Sequence, residues 1–242
     1  MSISSCAIAA ITLPDWANCA NIVGETRPSA RLDGVRSSSR QRALGAVLAG
    51  GRSRRMGQAK ARVALGGSPL ISYVLDAVRG AGLETVVVAK PASELPPLTC
   101  PVVRDESEAR HPIAGLLAAL AAAGGAPVVV LACDLPFVPS ALVSHLAGLD
   151  EPVAVPSLDG RLHPLLARYH PSAGPPLARA LQSQRPLREA VAAMNPRLIG
   201  EEELARFGDP GRILFNVNTP EDLAVAERTL GATAERERSA VR

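Results

Sequence analysis

Aromatic residues are nearly missing, since one Trp, two Tyr and three Phe make up 2% of the 242 residues. That leaves little ring surface on which single-stranded bases could stack, and a net charge of +3 is too small for a nucleic-acid-binding face. Nucleic acid is therefore not an expected partner. Cysteines are few as well: Cys6, Cys19, Cys100 and Cys133 form no CxxC pair and no metal-ligand spacing, so they read as reduced thiols of a cytoplasmic protein. No apolar run suits a bilayer span. The N-terminal "SSCAIAAITLPDWANCA" is too short for one and has no basic region in front of it, so neither export nor a membrane is expected. The four histidines share no spacing that would hold a metal, and no internal repeat is visible.

What is present suits one α/β domain. Hydrophobic residues make up 47% and charged residues 20%, the balance of a globular chain long enough to bury a substantial core. "RPSARLDGVRSSSRQR" mixes Arg, Ser, Gly and Pro without periodicity, so residues 1–42 read as an unstructured extension, with a transit-type peptide as the alternative. The domain is expected over 43–231, and 232–242, ending in "ERERSAVR", reads as a flexible charged tail.

From Ala43 onward, short apolar runs alternate with helical patterns. "LGAVLA" (44–49), "TVVVA" (85–89), "PVVR" (101–104) and "PVVVLAC" (127–133) suit strands buried on both faces. Between them, 69–82 and 112–124 carry the i, i+3, i+4 apolar spacing of helices and open on prolines, as N1 positions often do. The alternation predicts a mostly parallel sheet with helices on both faces. Beyond Pro139, "SALVSHLAGL" reads as a helix, "PVAVPS" and "HPLLARYH" as strands around a turn at Asp159–Gly160, and 173–194 as broken helix. In "NTPEDLAVAERTL", Thr219 is the expected N-cap of a last helix with Pro220 at N1 and Glu221 and Asp222 at the positive end of its dipole.

The chemistry starts with "VLAGGRSRRMGQAK", Val47 to Lys60, where the glycine pair Gly50–Gly51 and three arginines follow a strand. Bare backbone and positive charge at a strand end suit phosphate. The loop is not a Walker A motif, because Lys60 stands between Ala59 and Ala61, and it is not the dinucleotide fingerprint, because Arg52 occupies the second glycine position. Asp134 in "LACDLPF" follows the fourth buried run directly. Ligands on such sheets bind beyond the carboxyl ends of the strands, so Asp134 and the glycine loop can share one cleft. A carboxylate there can hold Mg²⁺ and so bridge to phosphates; the alternative is a turn or N-cap aspartate. Asn216 and Asn218 offer amides to a polar ring or cap the final helix, and His163 either lines an acceptor cleft or is structural.

Taken in order, "LAGGRSRRMG", Lys60, "GGSPLISYVL", "VVRDE", "PIAG", "ACDLPF", "HPLLA" and "NVNTPEDL" resemble molybdenum cofactor guanylyltransferases over roughly Ala43 to Leu230. The resemblance implies a three-layer, Rossmann-like nucleotidyltransferase fold. It also implies transfer of GMP from GTP to the phosphate of Mo-molybdopterin with release of pyrophosphate, and molybdoenzymes or their chaperones as recipients. In that reading Leu48, Ala49, Gly50 and Gly51 hold the nucleotide, Arg55 and Lys60 its phosphates, Asp105 the nucleotide, and Asp134 both nucleotide and Mg²⁺, with Arg55, Lys60 and Asp134 as the catalytic set. His163, Asn216 and Asn218 would face the pterin.

The chain departs from that pattern in three places. Ala59 replaces the usual acidic residue before the lysine, His111 replaces a glycine in "HPIAG", and Ala89 or Lys90 stands where an asparagine would meet the nucleotide. CMP transfer to the same pterin, transfer to another phosphorylated acceptor, and a delivery module without turnover remain as alternatives.

Overall fold

A computed structural model describes residues 42–50, 59–107 and 109–240. The chain opens with β1 (Leu44–Leu48), a 3-10 turn (Lys60–Arg62), a small hairpin of β2 (Ala64–Leu65) and β3 (Ser68–Pro69), and α1 (Leu70–Gly80). It continues through β4 (Glu84–Ala89), β5 (Val102–Arg104), α2 (Pro112–Ala122), β6 (Val128–Ala132) and α3 (Ser140–Gly148). Then come β7 (Val153–Leu158), β8 (Arg161–Leu162), β9 (Leu166–Tyr169), a 3-10 turn (Pro171–Ala173), α4 (Gly174–Gln182) and α5 (Leu187–Ala192). The chain closes with β10 (Arg197–Ile199), α6 (Glu201–Leu204), α7 (Pro210–Ile213) and α8 (Pro220–Ala240).

The main sheet has the order β10-β7-β9-β6-β1-β4-β5, with β8 added on β7. Along that path every neighbouring pair is parallel except those of β9, which runs antiparallel to both β6 and β7. The reversal has a local cause. Asp159 (φ 51°) and Gly160 (φ 71°) make a two-residue turn with both central residues left-handed, the geometry that folds β7 back on β8. The expected mostly parallel α/β sheet is the one observed.

Alternate residues of the same strands enter opposite cores, which makes three layers. Val47, Val87, Val129 and Leu131 pack with α1 and α3 on one face, while Ala46, Val88, Val128 and Val130 pack with α2, α4 and α5 on the other. This is why the strands read as continuous apolar runs rather than as alternation. Gly45 lets α1 sit close to β1, because a Cβ there would overlap Val78 Cγ1 and come within 3.3 Å of the Glu84 main-chain oxygen. A third, smaller cluster of Val63, Leu65, Leu70, Val217 and Ala226 ties the segment after Lys60 to the segment before Asn218 and to α8.

Some elements differ from the sequence reading. Pro69 ends β3 and is the N-cap of α1, because Gly66 (φ 55°) and Gly67 (φ 86°) turn the chain into a hairpin that takes Ser68 and Pro69 with it. Pro112 and Pro220, by contrast, are the first residues of their helices. The strand read from "HPLLARYH" starts only at Leu166, since the His163 amide turns to the Pro156 oxygen (2.9 Å) and the Leu166 amide to the His163 oxygen (2.9 Å). Helix α8 continues through the charged segment as far as Ala240, where Ala, Glu and Arg all favour helix.

Candidate active site

Strand β1 has β4 on one side and β6 on the other, so successive crossovers leave it in opposite directions and open a crevice at its carboxyl end. The ends of β6, β1, β4 and β5 stand side by side there, and each runs out on a polar or bare position: Asp134, Gly50, Lys90 and Asp105. Main-chain bonds knit this edge together. The Cys133 amide donates to the Leu48 oxygen (3.1 Å), the Ala49 amide to the Val88 oxygen (2.8 Å), and the Asp105 amide to the Ala89 oxygen (2.9 Å). Leu48 is half-buried, Ala49 is buried and Gly50 is exposed, so only the last of the three presents itself fully to solvent.

At the β6 end Lys60, Asp134 and Asn218 meet. Lys60 Nζ donates to Asp134 Oδ2 at 2.7 Å and to the side-chain oxygen of Asn218. The lysine and aspartate side chains are only 17% and 14% exposed, so their attraction is less screened than that of a surface pair. Asp134 Oδ1 is buried and has no hydrogen-bond partner among the described residues. That oxygen is the chemical signature of the site: a desolvated carboxylate oxygen is costly unless something positive comes to it. A divalent cation that brings phosphate and water as its other ligands fits, because such ions take one or two carboxylates from the protein. Among the described residues no group of three or more His, Cys, Asp or Glu offers a fuller cage. Burial, and then the neighbouring Asp134 charge, push the Cys133 thiol up to about 12, with Lys60 pulling the other way, so the sulfur beside the site stays protonated and unreactive.

Asn218 is placed by the start of α8. Asp222 Oδ2 accepts from the amides of Asn218 (2.9 Å) and Thr219 (2.9 Å), while Thr219 Oγ1 accepts from the Asp222 amide (3.1 Å). This reciprocal cap fixes the loop from which Asn218 reaches Lys60. Asn218 therefore stands in the site, and the capping is done by Thr219 and Asp222. Asn216 lies two residues earlier, half-buried.

The other expected residues fall elsewhere along the same edge. Asp105 is 4% exposed and paired with Lys90, whose Nζ lies 2.8 Å from Oδ2. His163 lies in the β8–β9 connection, whose Leu165 oxygen accepts from the Ala132 amide (2.7 Å) at the end of β6. Burial, then the charges of Arg161 and Arg188, lower its pKa and keep the imidazole neutral. His111 caps α2, its Nδ1 accepting from the Ile113 amide (3.2 Å), which gives the histidine in "HPIAG" a helix-starting task. Gly51 and Arg55 lie outside the described residues. Lys90, flagged in the sequence only as a departure at a nucleotide-contact position, pairs with Asp105, and Ser107, which also meets Asp105, was not legible as a site residue.

The α/β fold with its mostly parallel central sheet is that of a nucleotidyltransferase. The MobA-like NTP transferase domain matches residues 45–198. The molybdenum cofactor guanylyltransferase of Cereibacter sphaeroides is 37% identical over 78% of this chain and 97% of its own. That of Rhizobium leguminosarum bv. trifolii is 34% identical over 81% and 97%. The crystal structure of molybdopterin-guanine dinucleotide biosynthesis protein A from Archaeoglobus fulgidus superposes with a TM-score of 0.64 at 30% identity, covering 78% of this chain and 99% of that one. The chain belongs to the molybdenum cofactor guanylyltransferase family of MobA-like NTP transferases.

Proposed function

We propose that this enzyme transfers GMP from GTP to the phosphate of Mo-molybdopterin and releases pyrophosphate. The observation that carries the reading is the Lys60–Asp134–Asn218 meeting at the switch point, with an orphaned Asp134 oxygen beside the end of the glycine-containing strand. The names of the relatives supply the guanylyl group and the pterin acceptor.

In the reaction an oxygen of the acceptor phosphate forms a bond to the α-phosphorus of GTP, and the bond from that phosphorus to the bridging oxygen breaks. Two anions must approach, so the protein's task is positioning and charge neutralisation rather than nucleophilic attack. Lys60 supplies a point charge on the phosphate side, and Arg55 is assigned a bidentate clamp on phosphate oxygens. Leu48, Ala49, Gly50, Gly51 and Asp105 are assigned the nucleotide, and His163, Asn216 and Asn218 the pterin side. Asp134 would hold Mg²⁺ through Oδ1; when bound, the ion supplies charge for the phosphate oxygens at the transition state. We place the reaction in the cytoplasm, where the buried thiols Cys100 and Cys133 remain reduced, with molybdoenzymes or their chaperones as recipients of the product.

The test is incubation with GTP, Mg²⁺ and Mo-molybdopterin, followed by pyrophosphate release and the mass of the pterin product. GTP is expected to serve at least about tenfold better than CTP, which needs about 1.4 kcal/mol of differential transition-state binding. Equal use of both, or a preference for CTP, rejects the guanylyl assignment. Binding without turnover supports a delivery module instead.

A further inference from the structure

The structure assigns Lys90 as a positioning residue that selects the nucleotide base by orienting Asp105. The assignment rests on the proposed nucleotide reading of this crevice and deepens it. Asp105 lies one residue beyond β5 and Lys90 one residue beyond β4, on the opposite side of β1 from Asp134. Neighbouring strands are about 4.8 Å apart, so the Lys60–Asp134 pair and the Lys90–Asp105 pair sit roughly 10 to 15 Å apart along the sheet edge, the reach between a triphosphate and its base. Gly50 stands between them, with its Cβ position 3.8 Å from Lys90 Cγ, so the lysine stem forms one wall of the crevice floor. The Asp134 end, with a lysine and a spare carboxylate oxygen, suits phosphate and a cation. The Asp105 end offers acceptors and suits the N–H groups of a base.

The hydrogen-bond count around Asp105 says which acceptor is offered. Lys90 Nζ donates to the Ser107 main-chain oxygen at 2.6 Å and to Ser107 Oγ at 3.0 Å, and its charge lies 2.8 Å from Asp105 Oδ2. Ser107 in turn donates twice to Asp105 Oδ1, from its hydroxyl (2.6 Å) and its amide (3.1 Å). Both lone pairs of Oδ1 are thereby used, whereas among the described residues Oδ2 is met by the Lys90 charge and keeps acceptor capacity. Lys90 is itself held in place, because its main-chain oxygen accepts from the Ser93 amide (2.9 Å) and Arg104 reaches the Pro91 oxygen beside it (3.2 Å). The lysine thus does two things at once: it sets a positive charge beside a carboxylate that is 5% exposed, and, with Ser107, it fixes the direction in which Oδ2 faces. A base with an N–H in that direction is bound by a charge-assisted hydrogen bond, and one without leaves the acceptor unpaired.

The experiment compares the full chain with Lys90→Met, which keeps the stem and removes the charge, and with Lys90→Arg. GTP affinity is read by direct titration, and kcat and KM are read for GTP, ATP and CTP. We expect Lys90→Met to raise the GTP Kd and KM at least about tenfold, to leave kcat within about threefold, and to bring the preference for GTP over ATP and CTP toward unity, as loss of one charge-assisted bond would. Lys90→Arg should restore most of the preference. Should Lys90→Met fail to fold, Ser107→Ala carries the same test, since it removes only the hydroxyl between Lys90 and Oδ1. A folded Lys90→Met protein with unaltered affinity and preference overturns the assignment, as does a fall in kcat with KM and preference unchanged. If the wild-type chain prefers another nucleotide to GTP, the guanylyl reading fails on its own. Lys90 is then judged by whether its variant loses that other preference.

Discussion

The main-chain oxygen of Asp134 accepts a hydrogen bond from the amide of Val217 at 3.0 Å. Through this bond the strand end that carries the candidate metal ligand is stitched to the loop that carries Asn218, and Val217 is fully buried in the small cluster under both. The two halves of the site are thus one mechanical unit, and disturbing either is expected to move the other.

Asp222 tests that unit from a distance. Asp222→Ala removes the acceptor for the Asn218 and Thr219 amides and should cost about 1 to 2 kcal/mol of stability, the worth of a helix cap. Turnover should fall further than stability alone explains, because Asn218 loses its aim at Lys60. Thermal unfolding and pyrophosphate release, measured below the melting range, separate the two effects. A variant that is merely less stable, with full turnover when folded, would show that Asn218 needs no such support.

Asp134→Asn keeps the shape and removes the charge opposite Lys60. If Oδ1 takes a cation, the folded variant should lose turnover by roughly 10² or more, the scale of one lost electrostatic stabiliser. Pyrophosphate release against Mg²⁺ concentration, with circular dichroism for folding, checks this. A near-normal rate and metal dependence would take Asp134 out of the chemistry.

Stability should respond to acid in two separable windows. His163 is held below its ordinary 6.5 by burial first and by Arg161 and Arg188 second. The unfolded chain therefore binds the proton before the fold does, and His163 costs stability as pH drops below 6.5 but nothing above it. Burial would raise the Glu203 carboxyl, yet hydrogen bonds from Arg197 and His145 outweigh that and hold it below its ordinary 4.5. Its contribution is whole above 4.5 and is lost as pH falls lower. His163→Gln should flatten the decline in Tm between about pH 6.5 and about pH 5, and leave the steeper loss below 4.5 in place. An unchanged slope in the upper window would mean that the imidazole protonates as freely in the fold as out of it.

Gly45→Ala should destabilise by about 1 to 3 kcal/mol, because the added methyl overlaps Val78 Cγ1 and α1 must lift from β1. Denaturant unfolding reads the cost. A neutral result would show that the helix shifts freely.

The sheet was legible where burial is total. β1, β4 and β6 are apolar on both faces because both faces are covered, and a run such as "PVVVLAC" leaves no other reading. The β2–β3 hairpin, β10, α6 and α7 were not legible: each is two to four residues long, and such pieces are set by what they pair with rather than by their own pattern. The same division runs through the site. Lys60 and Asp134 announce themselves by type and position after strands. That Asp105 meets Lys90 depends on β4 and β5 being neighbours, which local pattern does not encode. His163 was read as either cleft or structural; its imidazole is partly buried at the right end of the sheet, and Arg161 and Arg188 bear on it.

Lys60 meets Asp134 across 74 residues and Asn218 across 158. During synthesis the glycine loop and all of its strand neighbours leave the ribosome well before the amide that completes the cluster. A ligand stabilises only a state able to bind it, so a ligand that needs Asn218 cannot assist the early assembly of the sheet. Chains arrested before Asp222 has emerged would carry a folded crevice with one wall missing. Completion of the Lys60 cluster is in that sense a signal that translation has passed the last helix cap, and a ligand held by Asn218 should protect only chains released beyond that point from proteolysis.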